Sequence, residues 1–382
     1  MSRYIRNYCI GKEAEYAVMV TEDWLRESAA TVLNAIAHYG LENGGERGPY
    51  TGPSGVLYSV VRAERALGVS HQKVTPSSLH VLPPSSSSSR FGSLLCGCVG
   101  DETVLAALGM NHRPLKGFLE EAVNVVCRQG NCNEVLYGKA GVLVAVEWIR
   151  QLSGTRPIPD AYTLKVIQSI ITAGRSYASS INSPSPLLWE WHDTEYLGAA
   201  HGVAGILHSL LCHWDLLEEG ERRDVKGTTE WLLSGHWESS TGHVASSREK
   251  RLVHWCHGAP GMVGLWLLAH KVLGEQKYAQ AAFRACSLIW QYGVLKKGPG
   301  LCHGVSGNAY CLLIMWQASK DEVWLQRAKC FAWMMMDTEV INKQRVPDSP
   351  SSLFEGWAGA LSLLADLSEP ETARFPVYST PI

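Results

Sequence analysis

Apolar and polar residues alternate along this chain on the scale of whole helices. Six runs are apolar on nearly every side: "VLYSVVRAERAL" from Val56, "VLVAVEWIRQL" from Val142, "ILHSLLCHWDLL" from Ile206, "MVGLWLLAHKVL" from Met262, "NAYCLLIMWQAS" from Asn308 and "ALSLLADL" from Ala360. A helix without a polar face must be buried all round. Between these runs lie "KGFLEEAVNVVCRQ", "AYTLKVIQSIITAGRSYA", "KYAQAAFRACSLIWQYG" and "VWLQRAKCFAWMMM", whose apolar residues recur at helical spacing beside a polar side. That pattern predicts outer helices with one wet face.

Glycines punctuate the alternation. G-x-x-G occurs at Gly52/Gly55, Gly97/Gly100, Gly138/Gly141, Gly202/Gly205, Gly258/Gly261, Gly304/Gly307 and Gly356/Gly359, at intervals of 41 to 64 residues. Repeats of that length, each pairing a buried helix with an amphipathic one, predict an all-α stack of about seven αα-hairpins. Seven apolar inner helices are easiest to bury if the array closes on itself, so an α/α toroid is expected, with every G-x-x-G at one end of the ring. Residues 71–90, "HQKVTPSSLHVLPPSSSSSR", interrupt the pattern where an outer helix should stand. A Ser/Pro-rich stretch cannot bury apolar surface and reads as a disordered loop inside one domain.

Composition narrows the function classes. With 34 basic and 36 acidic side chains among 382 residues the chain carries no electrostatic footprint for nucleic acid. Eleven cysteines, an odd number at irregular spacing, suit a reducing compartment. No run is long and apolar enough to span a bilayer, and "MSRYIRNYCIGKEAEY" has no apolar signal core. A cytoplasmic protein is expected, with peripheral membrane association left open.

The chemistry gathers at two of the glycine pairs. "LVHWCHGAPG" and "GLCHGVSG" repeat Cys-His-Gly-x-x-Gly 46 residues apart. Cys256, His257, Cys302 and His303 are enough ligands for zinc, either as three ligands with an open position or as four in a structural site. A single Cys-His-Gly reads more readily as a buried thiol and a hydrogen-bonded imidazole; its duplication at matching repeat positions favours the metal. His201, in "YLGAAHGVAGI", stands in the same register and is a candidate proton donor or acceptor as well as a candidate turn cap. Thr51, Cys96, Tyr137 and Glu355 hold the corresponding positions elsewhere.

Together "HWCHGAPG", "LKKGPGLCHGVSGNAY", "EYLGAAHGVAGI", "RVPDSPSSLFEGWAGA" and "ARFPVY" resemble the eukaryotic LanC-like proteins, relatives of the bacterial lanthionine cyclases. The resemblance is strongest from Asn133 to Pro376 and implies a single domain over residues 1–382, an α/α toroid. It implies zinc held by Cys256, Cys302 and His303, with His257 outside the metal shell and His201 as the catalytic acid/base. By the same resemblance Lys297 and the segment Arg345, Val346, Pro347 and Asp348 contact glutathione. Two departures stand out: "MSRYIRNYCI" lacks the family's N-terminal pattern, and "LCGCVGDE" puts Cys98 where relatives carry aspartate.

The activity implied is zinc-dependent addition of the glutathione thiolate to dehydroalanine or dehydrobutyrine in peptides or damaged proteins, a glutathione transferase-like reaction. The alternative is a non-catalytic glutathione-binding adaptor with structural zinc. Intramolecular cyclisation, as in the bacterial relatives, is a third reading, disfavoured because nothing in the chain resembles a dehydratase partner or leader-peptide system.

Overall fold

The structure is a computed structural model that describes residues 3–40, 47–78, 94–111, 113–128, 130, 132–235, 252–378 and 380–381. Among these residues the chain is helical, with isolated bridges and no extended strand. The helices are α1 (Glu13–Ala17), α2 (Glu22–Tyr39), α3 (Pro53–Leu67), α4 (Cys98–Leu108), α5 (Leu115–Val126), α6 (Lys139–Ser153), α7 (Asp160–Ser180), α8 (Val203–Cys212), α9 (Glu219–Gly235), α10 (Ala259–Leu273), α11 (Gln276–Tyr292), α12 (Val305–Ser319), α13 (Glu322–Met336), α14 (Thr338–Ile341) and α15 (Trp357–Ser368). Each of these seven G-x-x-G pairs opens one of α3, α4, α6, α8, α10, α12 and α15, the inner helices expected from the glycine repeat; all but α4 carry one of the six apolar runs. Where the outer helix between α3 and α4 is expected, the described residues hold only a 3-10 turn at Pro76–Ser78. Residues 79–90 of the Ser/Pro-rich stretch lie outside the described residues.

The chain divides into two compact units. One holds α1 to α3, α12 to α15 and α11 from Cys286 onward; the other holds α4 to α10 and the start of α11. In the first unit α15 packs on α2 and α3, and α12 on α13. From Val305 to Trp316 every residue of α12 is buried. A charged cluster lies in this interior: Asp366 pairs with Arg62 at 2.5 Å and accepts the Tyr310 hydroxyl at 2.7 Å. Burial raises the Asp366 pKa, and the Arg62 guanidinium opposes that shift. In the second unit α8 packs between α6 and α10, and all ten of its residues are buried. Each fully buried Leu or Ile contributes about 1.5–3 kcal/mol relative to exposure, which is why a helix with no polar face is stable only here.

The repeated glycines have a specific job. The outer helices α2 and α13 use side-chain caps, with Trp24 N donating to Thr21 Oγ1 and Val323 N to Asp321 Oδ1. The seven inner helices have glycine at the cap and no side-chain cap bond. Instead, at α6, α8 and α12 the preceding loop folds back along the first turn. In α12 the N–H groups of Val305, Ser306 and Gly307 donate to the carbonyls of Gly298, Pro299 and Gly300. In α8 those of Val203, Ala204 and Gly205 donate to Tyr196, Leu197 and Gly198. The unpaired donors of a helix start are thereby satisfied by main chain alone. The cost is crowding: a Cβ on Gly307 would stand 1.8 Å from the Leu301 oxygen. Gly258 adds a conformational demand, with φ +123° and the Leu252 oxygen 1.9 Å from where a Cβ would be.

Candidate functional site

The two residues before the cap glycines of α10 and α12 are Cys256–His257 and Cys302–His303. In α12 the loop carbonyls are committed to the helix start, so Cys302 and His303 are positioned by the same bonds that cap the helix.

In the first unit Cys302 N donates to Phe354 O at 2.7 Å, and Phe354 N to Tyr50 O at 3.1 Å, tying the loop before α12 to those before α15 and α3. His303 lies with its ring 6.0 Å from that of His254. Burial works to lower the His303 pKa, but Cys302 outweighs it and raises it. Lys297 opposes that rise and Glu355 adds to it, so both charges act on this imidazole. The segment carrying Lys297 is braced on two sides. Ile5 N donates to Val294 O at 2.7 Å and Lys296 N to Arg3 O at 3.1 Å, laying the N-terminal chain alongside it. Arg345 N donates to Lys296 O at 2.7 Å. A Cβ on Gly298, whose φ is +118°, would meet Pro347 Cγ at 2.8 Å. The "LKKGPG" and "RVPD" segments, 48 residues apart between Lys297 and Arg345, therefore lie side by side, with Lys297, Arg345, Val346 and Asp348 exposed and Pro347 half-buried.

In the second unit Val135 N donates to Ala200 O and Ala200 N to Cys256 O, so the loops before α6, α8 and α10 form a ladder. His201 ends the middle loop. Its Nδ1 lies 2.7 Å from Glu134 Oε2, and its side chain is 22% exposed against 2% for Glu134. Glu134 also accepts the backbone N–H of Leu136 at 2.9 Å, that of Tyr137, and the Cys132 thiol at 3.7 Å. Three donors and the His201 Nδ1 thus converge on one buried carboxyl. Burial first, and Glu134 second, push the Cys132 pKa up to about 12, so this thiol stays a donor. His257 lies with its ring 6.1 Å from that of His201, and Tyr196 touches both.

Of the three residues expected to hold zinc, Cys302 and His303 lie in the first unit and Cys256 in the second; the two cysteines are buried and the histidine half-buried. Two thiols and an imidazole are the donor set zinc takes. A cavity of about 700 Å³, lined by Cys127, Arg128, Lys139, Thr172, Ser176 and Tyr177, contains none of the residues expected from the sequence. Sequence reasoning does not single out Glu134. Its signal is a carboxylate among apolar neighbours, "NEVLYG", immediately before an inner helix.

A family model described as "Lanthionine synthetase C-like protein" matches residues 46–380. "Glutathione S-transferase LANCL1" from Danio rerio is 35% identical over 308 residues, 76% of this chain and 74% of that protein. "LanC-like protein GCL1" from Arabidopsis thaliana is 36% identical over 255 residues, 65% of this chain and 58% of that protein. Among solved structures nisin cyclase matches with a TM-score of 0.64 at 16% identity, over 91% of this chain and 94% of that one. At that identity the likeness shows the fold alone, which is all-α and of the α/α toroid class that the hydrophobic pattern predicts.

Proposed function

The chain belongs to the lanthionine synthetase C-like family, and from that premise we propose that it adds the glutathione thiol across the C=C bond of dehydroalanine or dehydrobutyrine in peptides and proteins. The observation that carries this reading is the His201–Glu134 couple: a partly exposed imidazole whose Nδ1 is held by a buried carboxylate. An adaptor has no use for an oriented acid/base group; a proton-transfer enzyme does.

Cys256, Cys302 and His303 are the residues that hold zinc in this reading. A metal held there would supply a Lewis acid, lowering the pKa of an incoming thiol toward neutrality. His201 does the proton work. With Nδ1 donating to Glu134, Nε2 is the nitrogen directed to substrate, and the carboxylate stabilises the imidazolium. The neutral imidazole takes the thiol proton at Nε2, sulfur bonds to the β-carbon, the π electrons move to the α-carbon as an enolate, and the imidazolium returns that proton to the α-carbon. The S–H has then been added across the double bond and the imidazole is neutral again.

Lys297 and Arg345 are the cations for the two carboxylates of glutathione, and Asp348 is the acceptor for its amino group. Val346 and Pro347 complete that segment. Support comes from the bracing of the two segments in one unit and from the zebrafish relative, which is named a glutathione S-transferase. The test is adduct formation on a dehydroalanine peptide with glutathione, followed by mass spectrometry for wild type, His201→Ala and Cys302→Ala. Unchanged turnover in both variants overturns the proposal.

A further inference from the structure

The ring of His201 is the end of an aromatic stack. Trp191 lies parallel to it, with centroids 6.1 Å apart and planes at 10°. Tyr137 lies parallel to Trp191, at 6.0 Å and 15°. Trp191 is half-buried, whereas Tyr137 is 50% exposed. A large ring left half in water on a wall that begins at the proton-transfer group is a surface for something to lie against.

The wall is held by a two-residue turn. Trp191 N donates to Thr194 O at 2.9 Å and Thr194 N to Trp191 O at 3.2 Å. The central residues His192 and Asp193 have φ of 48° and 57°, the conformation of a hairpin turn that ordinarily prefers Asn-Gly. His192 packs edge-on against Trp191, at 4.4 Å. The hairpin that presents the indole also carries carboxylates: Glu190 and Asp193 are exposed, and half-buried Glu195 accepts the Tyr177 hydroxyl at 3.2 Å.

We propose that Tyr137 and Trp191 form the acceptor subsite, which takes a polypeptide with a cationic side chain, arginine above all, close to its dehydroamino acid. This rests on the reaction assigned above. The chemistry is complementary on two counts: a guanidinium plane stacks on an aromatic face, and its charge is matched by the acidic hairpin beside it. Spacing sets the position. Two ring-to-ring steps of about 6 Å correspond to three or four extended residues at ~3.3 Å each, so the cationic residue lies about three or four positions from the reacting carbon.

The experiment compares two dehydroalanine peptides that differ only three positions from the reacting residue, arginine in one and glutamate in the other. Adduct formation with glutathione gives KM, and anisotropy with alanine-for-dehydroalanine counterparts gives Kd without chemistry. The arginine peptide should be favoured roughly five- to tenfold in both. Tyr137→Ala, at an exposed position, should cut the preference to within about twofold. Glu190→Lys combined with Asp193→Lys should reverse it. Equal binding of the two peptides by the wild type overturns the subsite, whether or not adduct forms. Discrimination in Kd with no adduct keeps the subsite and removes the reaction.

Discussion

The carboxylate of Glu134 and the imidazole of His201 lie 2.7 Å apart, Oε2 to Nδ1, although 67 residues separate them in the chain. The pair joins the loop before α6 to the loop before α8, so it orients the imidazole and records that the loops are in register. Glu134→Gln keeps the shape and loses the charge. It should lower kcat about 100-fold while leaving the KM for glutathione within about threefold, because the residue acts through His201 and not on the tripeptide. A KM rise with unchanged kcat would contradict that role.

Metal binding and proton transfer should separate by mutation. Cys256→Ala and Cys302→Ala should each abolish stoichiometric zinc in elemental analysis of purified protein. His257→Ala and His201→Ala should retain it. Of the two that retain metal, only His201→Ala should lose turnover, by roughly 10²- to 10⁴-fold. Chelation of the wild type should stop adduct formation, and added zinc should restore it.

Stability should fall with acid, and one buried histidine is a main reason. His208 stacks on Tyr378 and bonds Thr380 Oγ1 at 3.1 Å, and burial lowers its pKa to about 3. His213, also lowered by burial, acts in the same direction. In the unfolded chain these imidazoles take a proton near pH 6.5 that the folded state refuses. Their contribution is therefore complete above about pH 7 and declines as pH drops below 6.5, by up to ~1.4 kcal/mol per pH unit for His208 alone. Thermal melts from pH 7.5 to 5 should show the slope, and His208→Gln should flatten it.

Two glycine substitutions should differ by their neighbours. Gly274 caps α10 at φ +75°, and nothing lies within 4 Å of the place a Cβ would take, so Gly274→Ala should cost only ~1 kcal/mol. Gly307→Ala must push a methyl through the Leu301 oxygen. It should cost at least ~3 kcal/mol and, by displacing the loop that carries Cys302, weaken zinc binding as well. Calorimetry and zinc content of the two variants check both statements.

How much of this is legible in the sequence follows physical scale. The buried runs at Ile206 and Asn308, and the glycine before each, announce α8 and α12 because helix periodicity and main-chain crowding are properties of a dozen neighbouring residues. The doubled Cys-His marks a candidate metal site by its chemistry alone. The interrupted repeat after Leu67 is also visible, and the described residues there hold a 3-10 turn in place of an outer helix. Glu134 escapes such a reading because a lone carboxylate carries no hint of its partner until two loops are packed together. Trp191 is invisible as part of a site, since the turn at His192–Asp193 uses residues that rarely take positive φ.

Helix positions, their burial and the inventory of reactive groups are thus set by the order of residues, because they arise from interactions along a few turns of chain. The alliances among those groups, Glu134 with His201, Tyr137 with Trp191 and the Lys296 segment with Arg345, come from packing. Each joins residues 49 to 67 positions apart, and a contact over that distance exists only once the intervening helices have found their places.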